Sequence, residues 1–214
     1  MKKLLFSALL ASTTVFSASA QQLAANLPAT PKKAGKVATY TVDPKGTSLQ
    51  WLGKKVTGQH NGAIQLKDGS VQVKGDQLTG GTFTFDMNTI SVADLTDPGY
   101  NAKLVGHLKS DDFFGVEKYP TSTFTITSVR PLKGDAAGNN ATVTGNLTIK
   151  GTTNPVSFPA KVSVKNGVVS AQGTATVNRA KYDVRYGSKS FFESIGDKAI
   201  DDDFNLTFNV TARQ

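Results

Sequence analysis

The sequence contains no cysteine, which excludes disulfide bridges, thiolate metal sites and a lipid-modified thiol behind an export signal. It has only two histidines, His60 and His107, and no HxxxH or HxH spacing joins them. Glycine is frequent, yet no glycine pattern stands between a strand and a helix start, as a phosphate-binding loop requires. No serine has the strand–turn–helix context of a nucleophile elbow. These absences argue against a metal site, nucleotide binding and hydrolase chemistry, and no cofactor is predicted.

Long apolar runs are also missing, apart from one near the start of the chain. Residues 4–15 are largely apolar, follow Lys2 and Lys3, and precede the small residues of positions 18–20. This order is typical of a secretory signal peptide, which we assign to residues 1–20. The run is too short to span a bilayer, and no later segment approaches the length needed, so no transmembrane span is predicted. We expect a periplasmic protein, with secretion as the second choice.

Composition divides the rest of the chain into two parts. Residues 21–37 are rich in Ala, Pro and Lys without periodicity, which predicts a flexible leader. Residues 38–214 suit a single domain. The net charge of +8 comes from scattered basic residues. This excess serves solubility or attraction to anionic headgroups, and without a basic aromatic face it does not indicate nucleic-acid binding.

Apolar and polar residues alternate along most of the domain, which predicts antiparallel strands with one buried and one solvent-exposed face. Eight or nine such strands with short turns form either a sandwich or a barrel. Asn166–Gly167 is the clearest hairpin turn, and Asp68–Gly69 is predicted as another. If the sheet closes into a barrel, its apolar side faces a lumen that can hold an apolar ligand.

Two short helices are expected to interrupt the strands. Leu104 and Leu108 lie four residues apart in the stretch from Pro98 to Lys109, and Asp97 is suited to cap it. Such a short helix needs packing to be stable, so it should dock on the sheet or across a barrel opening. A second short helix is predicted over residues 190–196.

Phenylalanine dominates the aromatic residues, with twelve copies against five Tyr and one Trp. Several lie on the apolar faces of predicted strands, where they either fill a core or line an elongated cavity. Small residues on the same faces, Gly145, Ala171, Gly173 and Ala175, are expected to leave room inside. The side chains predicted to line the lumen are Phe83, Phe85, Phe124, Leu147, Ile149, Phe158, Phe204 and Phe208.

Several sequence blocks resemble a known family, in the same order along the domain. The central block runs from His107 to Phe114 (HLKSDDFF) and continues as EKYP at residues 117–120. WLGK at 51–54 with HNG at 60–62 precedes it, and GNLTIKG at 145–151 follows it. Together these blocks resemble the YceI-like family. The segment around Arg179 and residues 186–188 also matches, but the acid and the tryptophan common beside that arginine are replaced by Asn178 and Tyr182.

The resemblance implies an all-β fold, an extended antiparallel eight-stranded lipocalin-like barrel with one or two short helical insertions. It also implies that the chain binds and sequesters or carries an isoprenoid lipid, a polyprenyl chain or a quinone tail, in the cell envelope. His60, His107 and Arg179 are the candidate headgroup or mouth contacts, with a structural hydrogen-bonding role as the alternative for each. No catalytic residue is assigned, and a homodimer stays open. Two other functions stay open: a filled barrel that contacts an envelope partner, and an enzyme acting on an apolar substrate with a histidine base.

Overall fold

The computed structural model describes residues 35–214. The predicted signal peptide, residues 1–20, and the predicted leader up to residue 34 lie outside the described residues. Within 35–214 the chain forms nine strands and one α-helix, together with three short 3-10 helices. These are β1 (Val37–Val42), β2 (Ser48–Lys55), β3 (Gly58–Lys74), β4 (Gln77–Asp86), α1 (Pro98–Lys109), β5 (Thr121–Pro131), β6 (Ala141–Ile149), β7 (Thr152–Lys165), β8 (Val168–Asn178) and β9 (Ile200–Arg213), with the 3-10 helices at Met87–Thr89, Arg179–Tyr182 and Gly196–Lys198.

Strands β2 to β9 close into an eight-stranded antiparallel barrel. Each pairs with the next along the chain, and β9 returns to pair with β2. Strand β1 does not add a ninth position, because it pairs with the same two neighbours as β2, namely β3 and β9. β1 and β2 therefore act as two halves of one strand of the barrel, separated by residues 43–47. The predicted eight-stranded barrel is confirmed.

The alternation of residue types places one face of each strand inside the barrel. In β6, Ala141, Val143 and Leu147 are buried while the threonines between them are more exposed. At the β7–β8 turn, Asn166 and Gly167 both have positive φ, 51° and 72°, as a two-residue hairpin turn requires. The hairpin predicted at this dipeptide is confirmed.

The hairpin predicted at Asp68–Gly69 is wrong, because β3 runs unbroken from Gly58 to Lys74. The register with β4 shifts between Leu66 and Asp68, so the dipeptide follows a β-bulge, and the chain turns later at Gly75, whose φ is +61°. Gly69 lies close to β1: a Cβ there would lie 3.1 Å from Cγ2 of Val42, a tight contact.

Helix α1 has the bounds predicted for it. The Asp97 carboxylate accepts a hydrogen bond from the Tyr100 N–H at 2.9 Å and caps the helix, and Leu108 is buried in the core. The second predicted helix is wrong, since residues 190–195 form turns and only a 3-10 turn follows at Gly196–Lys198. This segment has two exposed phenylalanines side by side instead of an apolar stripe at helical spacing.

Both long connections leave the barrel at the same end. Residues 87–120 join β4 to β5, and residues 179–199 join β8 to β9. We call this end the mouth, and the opposite end, with the turn at residues 166–167, the far end. Along residues 35–214, no helix combines the length and apolarity needed to cross a membrane.

Candidate functional site

The barrel encloses an elongated apolar cavity. The space open to the centre of a water molecule measures about 190 Å³. Its wall reaches Gly53, Ile200 and the exposed Asp201 at the mouth, whereas buried Tyr40 and Val73 fill the far end. The cavity therefore extends to the mouth end of the barrel.

All eight side chains predicted to line the lumen lie in the cavity wall. Alternation with period two was sufficient to place them, because each strand has one inward face. Their contact with a ligand stays a prediction. Sequence reasoning missed other wall residues; Leu49 and Trp51 follow the same alternation in β2, whereas Leu108, Phe113 and Phe114 come from the β4–β5 connection and carry no periodic signal.

Four phenylalanines form a continuous row along the lumen wall. The ring centroids of Phe83 and Phe124 are 6.4 Å apart, those of Phe124 and Phe158 are 5.6 Å apart, and those of Phe158 and Phe208 are 5.3 Å apart. These spacings fall within the range of favourable aromatic pairs. The row crosses from β4 to β9, although β6 and β8 contribute no ring to it.

Glycines on β6 and β8 allow the rings of neighbouring strands to meet. A Cβ at Gly145 would lie 2.5 Å from two ring carbons of Phe124, and one at Gly173 would lie 2.9 Å from Cζ of Phe208. The small residues were expected to leave room inside: Ala171 and Ala175 line the cavity directly, whereas the two glycines make room by letting rings lie against the wall. The rings lie against the wall, and the free space runs alongside them.

Arg179 is buried at the mouth and is bound by the chain itself. Its Nε donates to the carbonyl of Asp201, Nη1 to those of Val184 and Tyr186, and Nη2 to that of Ile200, all at 2.8–3.0 Å. Nη2 also lies 3.4 Å from Oδ1 of Asp202. A guanidinium has five N–H donors; four of them are bonded to backbone carbonyls, and the charge is balanced by the ion pair with Asp202. This geometry favours the structural alternative, in which Arg179 ties the start of the β8–β9 connection to its end.

His60 lies outside the cavity wall, at the start of β3. Its Nδ1 is 2.7 Å from Oδ2 of Asp94, whose Oδ1 accepts the Asn61 N–H at 2.8 Å. Burial raises the pKa of Asp94, but the hydrogen bonds from Asn61 and His60 outweigh burial and hold that pKa below its ordinary value. The pair fastens the β4–β5 connection to the barrel.

His107 also stands outside the cavity wall and joins the two long connections. Its ring meets Phe113 and Tyr186 edge to face, with centroids 4.9 Å and 4.4 Å away. Its Nε2 is 3.6 Å from Oδ2 of Asp112. His60, His107 and Arg179 thus have separate partners and do not form one cluster. Among residues 35–214, no group of three His, Asp or Glu side chains is arranged to hold a metal ion.

Polar groups are few in the cavity wall. Besides Arg179 and Asp201, Ser122 contributes a buried hydroxyl group on β5. Neither histidine faces the lumen, so a base for chemistry on an enclosed substrate would have to come from elsewhere. The wall is built to exclude water and to contact hydrocarbon.

Comparisons with known proteins agree with this architecture. The sequence model of the YceI-like domain matches residues 40–212. A UPF0312 protein of Pseudomonas aeruginosa is 41% identical over 90 residues, which span 38% of this chain and 44% of that relative, less than half its length.

Two solved structures share the fold. The crystal structure of Burkholderia cenocepacia BcnA has a TM-score of 0.60 at 26% identity and covers 80% of this chain and 99% of its own. A polyisoprenoid binding domain from Saccharophagus degradans, described as implicated in plant cell wall breakdown, has a TM-score of 0.56 at 14% identity, with coverage of 83% and 99%.

Proposed function

This chain belongs to the YceI-like family, and from that premise we propose that its lumen binds an isoprenoid lipid, a polyprenyl chain or a quinone tail. The protein would sequester or carry this lipid in the cell envelope. The observation that carries the proposal is the shape of the cavity, which is long, thin and apolar.

The proportions of the cavity suit one flexible chain. Along β9 its wall extends from Ile200 to Val210, which at ~3.3 Å per residue and a strand tilt of about 40° corresponds to roughly 25 Å along the barrel axis. The volume open to the centre of a water molecule is about 190 Å³. Averaged over that length, it corresponds to a cross-section of roughly 8 Å² within which that centre can lie. A slot of this mean width suits a single hydrocarbon chain better than a fused ring system or a two-chain phospholipid.

Burial of the chain supplies the binding free energy. Removing roughly 400 Å² of apolar ligand surface from water is worth about 10 kcal/mol, at ~25 cal/mol per Å², before the costs of ordering. The Saccharophagus degradans neighbour is named for polyisoprenoid binding, which supports this ligand class. The signal-like first twenty residues support an exported protein, and we propose the periplasm as its location.

The cavity between the lumen side chains weighs against the filled-barrel alternative, and the position of both histidines outside the wall weighs against the enzyme alternative. A non-catalytic binding protein needs an apolar wall, and the lumen supplies one along its whole length.

The test is to purify the protein from its native envelope, extract it with organic solvent and identify the lipid by mass spectrometry. Ala171 lines the cavity, while the next residue, Gln172, is exposed on the opposite face of β8. We expect Ala171→Trp to abolish the co-purified isoprenoid and the matched variant Gln172→Trp to retain it. Equal lipid content in both variants, or no lipid in any preparation, would contradict the proposal.

A further inference from the structure

Ser122 places a hydroxyl group in a cavity wall that is otherwise almost entirely hydrocarbon. It belongs to β5, where Phe124 and Ile126 also line the cavity, so the period of two turns all three side chains inward. Ser122 is 7% exposed, and it lies near the mouth because β5 begins where the β4–β5 connection ends. A polar group buried to this extent is unfavourable unless it forms a hydrogen bond.

The neighbouring strands surround Ser122 with apolar side chains on the inner face of the sheet. Ser122 is paired with Phe85 on β4. The register of β5 with β6 places Ile149 on its other side, one step beyond the pair formed by Thr123 and Thr148. Both Phe85 and Ile149 line the cavity. Neither can accept or donate a hydrogen bond through its side chain, so a partner for the hydroxyl group has to come from elsewhere.

The chain itself does not supply that partner. The hydroxyl group of Ser188, a second buried serine, accepts the Ser190 N–H at 3.1 Å, and that of the half-buried Ser110 donates to the carbonyl of His107 at 2.8 Å. Within residues 35–214, Oγ of Ser122 forms no such bond. The buried hydroxyl group that is sealed off without a partner is that of Tyr182, not that of Ser122. The Ser122 hydroxyl group is therefore accessible from the lumen.

The other polar groups of the cavity wall are already engaged. The indole N–H of Trp51 donates to the carbonyl of Ser91 at 3.1 Å. Four N–H groups of Arg179 are bonded to backbone carbonyls, and its charge is balanced by Asp202. Asp201, at the mouth, adds a negative charge to the wall. Within residues 35–214 the wall thus offers no free cation to an anionic end group, but it offers one hydroxyl group to an uncharged end group.

We propose that Ser122 selects the polar end of the lumen ligand, and that this end is an uncharged oxygen in a hydroxyl or a carbonyl group. The Ser122 O–H donates a hydrogen bond to that oxygen, and the apolar tail runs toward the far end. Along β4 the wall continues from Phe85 to Leu78, which leaves the tail roughly 18 Å at ~3.3 Å per residue and a strand tilt of about 40°. This inference rests on the proposed function, because it defines the end group of the same ligand.

Binding of defined probes to the purified, delipidated protein tests the proposal, and Trp51 provides the signal. It is the one tryptophan of the chain and lies in the cavity wall, so its fluorescence reports the entry of a ligand. The probes share a four-unit isoprenoid tail. They are the alcohol geranylgeraniol, the corresponding hydrocarbon without the hydroxyl group, a benzoquinone carrying the same tail, and geranylgeranyl phosphate.

We expect Ser122→Ala to lower the affinity for at least one of the two uncharged oxygen-bearing probes about fivefold, relative to the affinity for the hydrocarbon. Taking this ratio in both proteins cancels the different costs of removing each probe from water. A fall for the alcohol alone identifies a hydroxyl end group, and a fall for the benzoquinone alone identifies a carbonyl. Ser170→Ala, which removes an exposed hydroxyl group from β8, is the matched control and should leave both ratios unchanged.

The outcomes separate this proposal from the previous one. If the probes bind but both ratios are the same in Ser122→Ala and the unchanged protein, the role of Ser122 is overturned while the proposed function stands. If no probe binds, both are overturned. Geranylgeranyl phosphate should bind more weakly than the alcohol, and tighter binding of the phosphate would overturn the uncharged end group.

Urea denaturation of the ligand-free protein distinguishes ligand selection from a structural role. Because the Ser122 hydroxyl group has no partner in the chain, Ser122→Ala should be at least as stable as the unchanged protein. A less stable Ser122→Ala would show that the hydroxyl group is bonded to the chain, and the proposal would then fail.

Discussion

The ring of Phe124 lies directly over Gly145 on the neighbouring strand. A Cβ on that glycine would stand 2.5 Å from two ring carbons and from the carbonyl oxygen of Thr125, a distance that real Cβ atoms do not reach. The absence of a side chain on β6 lets the ring lie against the wall. The width of the lumen therefore depends on a residue that contributes no side chain to it.

Gly145→Ala should destabilise the protein by about 1–3 kcal/mol, because the new methyl group forces the Phe124 ring toward the lumen. It should also reduce the amount of co-purified lipid. Urea denaturation and lipid extraction provide the measurements. Gly106→Ala is the control, since a Cβ there meets nothing within 4 Å and sits on an exposed helix face, where alanine should add about 0.5–1 kcal/mol of stability.

Arg179→Lys should destabilise the protein by about 2–4 kcal/mol, since an ammonium group cannot serve four carbonyl acceptors placed around a planar guanidinium. Amide hydrogen exchange should rise in residues 184–202, where those acceptors lie. Lys181→Arg, an exposed change two residues away, should alter neither measurement. Unchanged stability of Arg179→Lys would show that the carbonyl contacts contribute little.

Asp202 should contribute a pH-dependent part of stability. Burial raises the pKa of Asp202. Hydrogen bonds from Ser188 and Ser190 and the charge of Arg179 outweigh burial and hold that pKa below its ordinary value. A lowered folded pKa stabilises the protein above the unfolded value, near 4, and this contribution is lost as the pH falls through the folded pKa.

The measurement is urea denaturation between neutral and acidic pH. We expect Asp202→Asn to flatten the acid side of the stability profile, and Asp76→Asn, in the exposed β3–β4 turn, to leave it unchanged. Parallel profiles for Asp202→Asn and the unchanged protein would contradict this assignment.

Tyr182 is 1% exposed, and its hydroxyl group has no hydrogen-bond partner among residues 35–214. Burial raises the pKa of Tyr182 to about 12. The neutral phenol therefore stabilises the fold below the unfolded pKa, near 10, and that contribution is lost as the pH rises toward the folded value.

Tyr182→Phe should stabilise the protein by about 1 kcal/mol at neutral pH, because it removes an unsatisfied buried hydroxyl group. The gain should grow at alkaline pH. Chemical denaturation at both pH values measures it, and Tyr100→Phe, at an exposed position, serves as control. A destabilised Tyr182→Phe would show that the hydroxyl group has a partner after all.

Local patterns in the sequence predicted much of the fold. Alternation with period two placed Phe158 and Phe208 in the lumen, Asn166–Gly167 marked a hairpin, and Asp97 marked the start of α1. Each of these signals acts between residues close in the chain, so it can be read without knowing the fold. Asp68–Gly69 shows the limit, since a turn dipeptide inside a long strand is also compatible with a bulge.

The sequence by itself determined most of the strands, their inward faces and the bounds of α1, because steric and hydrophobic periodicity are local properties. Only the tertiary structure decided that β9 closes on β2, that Arg179 donates to four backbone carbonyls of its own chain, and that rings cover Gly145 and Gly173. These features depend on residues far apart in sequence that meet only when the barrel closes. The same closure leaves the thin lumen and encloses the Ser122 hydroxyl group in its wall.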